Sequence, residues 1–183
     1  MSAVKLIPAS GGGSVSLTPP NSTSGADVTF TLPSTSQSFG KILQVLQNTK
    51  VDTTSSSSNS FVDTGLSQGI TPTYSTSKIL CMYSVYVSHS NSVVSYINLV
   101  RGSTNIFMNS GTSTDEGTTA IYVPSNDSMQ QHVCQYLDSP NTTDTLTYKL
   151  QYRAHGGTVY INRYSVTDNY YGTSSLTLME VAA

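Results

Sequence analysis

The chain has 183 residues, enough for one domain with an appended arm. Only 10% of residues are charged and the net charge is −2, while Ser and Thr make up roughly three residues in ten. This balance excludes a basic nucleic-acid surface, and no apolar run is long enough for a membrane-inserted helix. The N-terminal residues Met1 to Pro8 lack the long apolar region of a secretion signal, which implies synthesis in a cytoplasm. In chain order, residues 1–38 form the first predicted unit. Ser14 to Leu17 and Asp27 to Leu32 read as short alternating strands joined by a Pro/Ser/Gly bend. They carry too few apolar side chains for a core, so a partner must supply cover and hydrogen bonds.

Residues 39–183 form the second predicted unit. Helical periodicity is nearly absent, and turn clusters recur every eight to twelve residues. Phe39 to Gln47 reads as a strand, then Thr53 to Asn59 as a flexible linker, then Ser60 to Thr64 as a short strand. Lys78 to Ser88 places Ile79, Cys81, Tyr83, Val85 and Val87 on one face and Leu80, Met82 and Tyr86 on the other. Both faces of that strand read as buried, which suggests a subunit contact or a covering loop. Val93 to Arg101 and Asn105 to Met108 flank a hairpin turn at Gly102-Ser103-Thr104. Thr118 to Val123, Met129 to Leu137, Leu146 to Arg153, Thr158 to Arg163 and Leu176 to Val181 complete the strands. The fold class is therefore all-β: a two-sheet antiparallel β-sandwich, jelly-roll-like, with an extended N-terminal β arm.

Motifs that carry chemistry are scarce. Cys81 and Cys134 sit in predicted strands, where two buried thiols and a single bridge are both open. His89, His132 and His155 show no metal-ligand spacing. One route to an ion remains: His132 meeting its copies on a three-fold axis. The acidic residues are scattered, without the paired carboxylates of a glycosidase, and no nucleophile elbow or phosphate loop is present. The expectation is a non-enzyme with no cofactor and no metal.

The aromatic inventory is more telling, with 12 Tyr, 4 Phe and no Trp. The segment Arg163 to Thr173 gathers Arg163, Asp168, Asn169, Tyr170 and Tyr171 in one turn. Rings that stack on a sugar face beside short polar groups that take its hydroxyls make these five the candidate glycan or receptor contacts. An ordinary polar loop, with its tyrosines packed on a neighbouring subunit, is the plainer alternative.

The run Gly13-Ser14-Val15-Ser16-Leu17-Thr18, then Pro20, Ser22-Thr23, Gly25 and Val28-Thr29-Phe30-Thr31-Leu32-Pro33, resembles a module of tailed-bacteriophage structural proteins, especially from aquatic phages. The remainder is similar to the sandwich module that follows it. The pieces that carry this likeness include Ser60-Phe61-Val62-Asp63-Thr64-Gly65-Leu66, Tyr148-Lys149-Leu150-Gln151, Gly157-Thr158-Val159-Tyr160-Ile161-Asn162-Arg163 and Leu176-Thr177-Leu178-Met179-Glu180-Val181. The resemblance implies a virion component: a homotrimeric tail-fibre or surface-appendage protein, made in the host cytoplasm, whose outward sandwich contacts the host surface. Its arm would dock to tail, portal-proximal or capsid proteins through Val15, Leu17, Val28, Phe30 and Leu32. The arm is short beside the stalks of larger fibres, which keeps a capsid decoration or cement protein open. A free carbohydrate-binding lectin is the reading from another class.

Overall fold

The structure is a computed structural model that describes residues 4–6, 15–17, 41–109, 116–124, 128–166 and 169–183. The chain divides into two units, Met1–Gln37 and Ser38–Ala183. In the first, β1 (Val4–Leu6) pairs antiparallel with β2 (Val15–Leu17). The expected strand at Asp27 to Leu32 lies outside the described residues.

The second unit is all-β, with two antiparallel sheets packed face to face. Its strands are β3 (Ile42–Lys50), β4 (Thr54–Ser56), β5 (Val62–Ile70), β6 (Lys78–His89), β7 (Val93–Arg101) and β8 (Thr104–Asn105), followed by β9 (Thr119–Val123), β10 (Met129–Asp138), β11 (Leu146–Ala154), β12 (Val159–Ile161) and β13 (Ser174–Val181). In the first sheet, β6 pairs with β10 on one side. On its other side it pairs with β13 and then, further along, with β12. Outside these lie β3 against β13 and β4 against β12. In the second sheet, β11 lies between β5 and β7, and β7 pairs on its far side with both β8 and β9.

Alternation sets the core. Ile79, Cys81, Tyr83, Val85 and Val87 of β6 meet Tyr148, Leu150 and Tyr152 of β11 and Leu176 and Leu178 of β13, all buried. Each fully buried aliphatic of this kind contributes about 1.5–3 kcal/mol of transfer free energy. Both open edges of the sandwich are laced by polar bonds between sheets. On one side, Arg101 and Tyr148 both donate to the Asp138 carboxylate, at 2.5 and 2.7 Å. On the other, the Asn48 side chain donates to Ser67 O at 2.8 Å.

Three expectations change: the strand expected at Asn105 to Met108 is the two-residue β8, Thr104–Asn105, and two more lie earlier in the chain. Thr53 to Asn59 is not simply a linker, because Thr54–Ser56 forms β4 and pairs with β12. The short strand expected at Ser60 to Thr64 instead begins at Val62 and runs to Ile70. It passes a bulge at Gly65, whose φ of 84° suits glycine. Cys81 and Cys134 are both free thiols.

Candidate functional site

The first sheet contains an interruption that its own ladder does not require. On β6, two residues separate Val87 from Ser84. Their partners on the neighbouring strand, Ile161 and Ser175, are separated by thirteen. β12 and β13 are thus one line of pairing from which the chain leaves at Asn162 and to which it returns at Ser174. The excursion is a tongue, and it carries the segment singled out for its tyrosines.

Asn162 holds the base of the tongue. It is fully buried and has a φ of 62°, a left-handed conformation that Asn tolerates better than most residues. Its side-chain amide donates to Lys50 O at 2.7 Å and Asp52 O at 3.1 Å, which ties down the kink between β3 and β4. Its side-chain oxygen accepts from Ser174 Oγ at 2.5 Å. Its backbone N–H donates to Tyr86 O, and its carbonyl accepts from Gly172 N, both at 3.0 Å. Ser174 Oγ in turn accepts from Tyr86 N at 3.2 Å. The two Tyr86 backbone groups left without a ladder partner are therefore satisfied by the two residues flanking the tongue.

The legs of the tongue run antiparallel. Arg163 bridges to Tyr171, and Tyr164 N donates to Tyr170 O at 3.1 Å. Ser88 Oγ donates to Arg163 O at 2.6 Å. Gly172 lies flat on the Tyr86 ring, where a Cβ would stand 2.7 Å from Tyr86 Cγ, so any side chain would force the leg away. The Arg163 guanidinium stacks over the Tyr160 ring at 4.3 Å, and the Tyr164 and Tyr170 rings lie 5.0 Å apart at 46°. Tyr170 and Tyr171 are 61% and 60% exposed. Of the five candidate contacts, Arg163, Asn169, Tyr170 and Tyr171 share this tongue, and Asp168 lies outside the described residues. Sequence reading missed the supports Tyr86, Tyr160, Asn162 and Gly172. The Asn and Gly at the two ends were the available signal, since each is a residue type that leaves regular strand geometry readily.

The outer face of the same sheet is the second feature. Leu80 and Met82 do not belong to a second core but face outward, half-buried. Register aligns Leu137 of β10, Leu80 of β6, Met179 of β13 and Val45 of β3 in one row across four strands, about 15 Å long. Val133 extends the apolar surface on β10 and Ile42 on β3; with Val45 and Leu137 they are exposed. Among the described strand residues on this face, Lys78 alone is charged, and it sits at one end. The outer face of the second sheet differs. There Asp63 accepts from Lys149 at 2.9 Å and Gln151 at 2.7 Å, Asn98 donates to Asn105 at 2.7 Å, and Arg153 stacks over Tyr96 at 4.3 Å. The bonds from Gln151 and Lys149 hold the Asp63 carboxyl below its ordinary range. Tyr122 is that face's one exposed large apolar side chain among the described residues.

Two buried ionisable groups serve the framework. Glu180 is buried and accepts from Gln44 Nε2, Thr73 N and Thr73 Oγ1 at 2.6, 2.6 and 3.0 Å. Burial alone would raise its carboxyl, but these bonds outweigh it and hold the group low. His132 lies fully buried between the sheets, bonded to Ser95 Oγ at 2.9 Å and Thr119 Oγ1 at 2.8 Å. It cannot meet a symmetry copy on a three-fold axis, which removes the ion site considered for it. Among the described residues no three His, Cys, Asp or Glu side chains gather as a metal site. Compared with known proteins, the sequence matches no family model and no curated protein.

Proposed function

We propose that this chain is a non-enzymatic structural component of a phage particle, a homotrimeric fibre or surface-appendage protein with its sandwich turned outward. The observation that carries the reading is the contrast between the two outer faces of the sandwich. On one, polar groups bond to each other and Tyr96, Asn98 and Arg153 are already buried within the chain. The other presents an uncharged aliphatic row that a solitary domain would leave in water. An uncharged, apolar sheet face suits repeated contact between identical chains, because copies meet there without like-charge repulsion. The motif resemblance to phage structural proteins and the Ser/Thr-rich, charge-poor composition point the same way. Residues 1–38 then serve as the docking segment, extending a sheet of another virion protein by strand addition.

Two measurements test this reading. Light scattering on the full chain is expected to give the mass of three copies, and a monomer at high concentration sinks the trimer. Particle images with labelled protein are expected to show it on the virion surface, and deletion of residues 1–38 is expected to abolish incorporation. Normal incorporation of the shortened chain would remove the docking role. Particles that lack the protein but break more readily on heating would instead favour a cement role on the capsid.

A further inference from the structure

We infer that Tyr170, Tyr171 and Asn169 on the tongue form a binding site for a neutral carbohydrate. The inference rests on the reading of the sandwich as the outward, partner-contacting part of the protein, and assigns that contact to a place and a ligand class. Three observations carry it. First, the tongue is an insertion into a line of pairing that would close without it, yet its base is fully bonded through Asn162, Ser174 and Gly172. A surplus loop built this firmly holds what it presents in a fixed place.

Second, what it presents is two largely exposed tyrosine rings, 61% and 60% accessible. The first of them has a ring partner. The Tyr164 ring supports Tyr170 at 5.0 Å, and the Arg163–Tyr160 stack supports the opposite leg at 4.3 Å. The Tyr170 ring is thus preorganised, and a ligand need not order it on binding.

Third, the chemistry discriminates between ligands. A flat ring packs against the C–H face of a pyranose, while phenol hydroxyls and the Asn169 amide can both donate to and accept from sugar hydroxyls. The aliphatic surface suited to a protein partner lies elsewhere, in the Leu137–Leu80–Met179–Val45 row. Arg163 is the one charged group among the described tongue residues, and its guanidinium is engaged at the base by the Tyr160 ring and by Tyr164 O at 3.4 Å. Nothing described on the outer part of the tongue is set to pair with an acidic sugar, which favours a neutral one.

The test uses the purified full chain on an array of neutral and acidic oligosaccharides, followed by calorimetric titration with the best neutral one. Binding to a neutral hexose or N-acetylhexosamine oligosaccharide is expected, with little change on adding salt. Tyr170→Ala or Tyr171→Ala should weaken it roughly tenfold or more, and Tyr171→Phe much less, all at unchanged melting temperature. A blank array, binding confined to acidic glycans, or binding that survives both alanine substitutions overturns the site. Alanine variants that lose self-association instead would make the tongue a subunit contact and also overturn it. A blank array from a protein that still forms its trimer would defeat the sugar site alone and leave the assembly reading standing.

Discussion

Two single residues carry contributions that can be measured. His132 is the clearer. Its ring nitrogens bond Ser95 Oγ at 2.9 Å and Thr119 Oγ1 at 2.8 Å, and Thr119 Oγ1 bonds Tyr83 OH at 3.0 Å. Burial depresses its pKa from the ordinary 6.5 to about 4. A depressed histidine means the unfolded chain binds the proton more tightly than the folded one. Its contribution is therefore whole above about pH 6.5 and is lost as pH falls toward 4, up to about 3 kcal/mol. Denaturant midpoints measured across that window should fall with pH in the native protein, and the slope should flatten in His132→Gln. An unchanged slope would mean that the ring is not the acid-sensitive group. Asn162 is the second. Asn162→Ala removes three side-chain hydrogen bonds and leaves a left-handed backbone that alanine resists, for a loss of about 2–4 kcal/mol. Asn162→Gly keeps the conformation and should lose less; equal losses in denaturant titration would show that backbone strain plays no part.

At the scale of elements, the tongue is separable from the sandwich. Replacing residues 162–174 with two threonines would let Ile161 and Ser175 continue one strand along β6. The regained ladder bonds would satisfy Tyr86 N and O, which Ser174 and Asn162 satisfy now. The shortened chain is expected to fold with a single cooperative melt, lowered by the loss of the Asn162 bonds to Lys50 O and Asp52 O; a molten or insoluble product would show that the tongue is part of the core. The sequence could not reveal this interruption. Alternation marked the strands around it, and the core face of β11 was legible because Leu146, Tyr148, Leu150 and Tyr152 share one side, whereas β6 is apolar on both. Register between β6 and a strand some 80 residues away is not written in local pattern. β4 was hidden for a related reason: Thr54, Ser55 and Ser56 have no apolar member and become a strand only because β12 offers its edge. The tyrosines of the tongue were legible as a composition, whereas their supports were not, since Tyr86 reaches the site from β6, far away in sequence, and the stacking of Tyr160 on Arg163 appears only after folding.

For the whole molecule, the proposed assembly asks which surface would meet another copy. The sheet faces answer it differently from the strands taken singly. The two-sided apolar character of Lys78 to Ser88 read as a strand buried on both sides, but Leu80 and Met82 are only half covered within the chain. Their neighbours Leu137 and Val45, 45% and 52% exposed, come from strands distant in sequence, and the row they form exists only after folding. A charge placed in that row should act on association and leave folding alone. In an isolated chain both positions are already wet, so a lysine there keeps its ammonium hydrated and disturbs little packing. Between copies, each lysine must be desolvated without a partner or lie opposite its own kind, at a cost of several kcal/mol per contact. Leu137→Lys and Val45→Lys are therefore expected to yield monomers at the native melting temperature. Thr147→Lys, on the exposed polar face of the second sheet, should keep the native mass. Sedimentation over a range of concentrations separates the cases: if the row variants hold the same mass as the parent while Thr147→Lys dissociates, the contact lies on the other sheet.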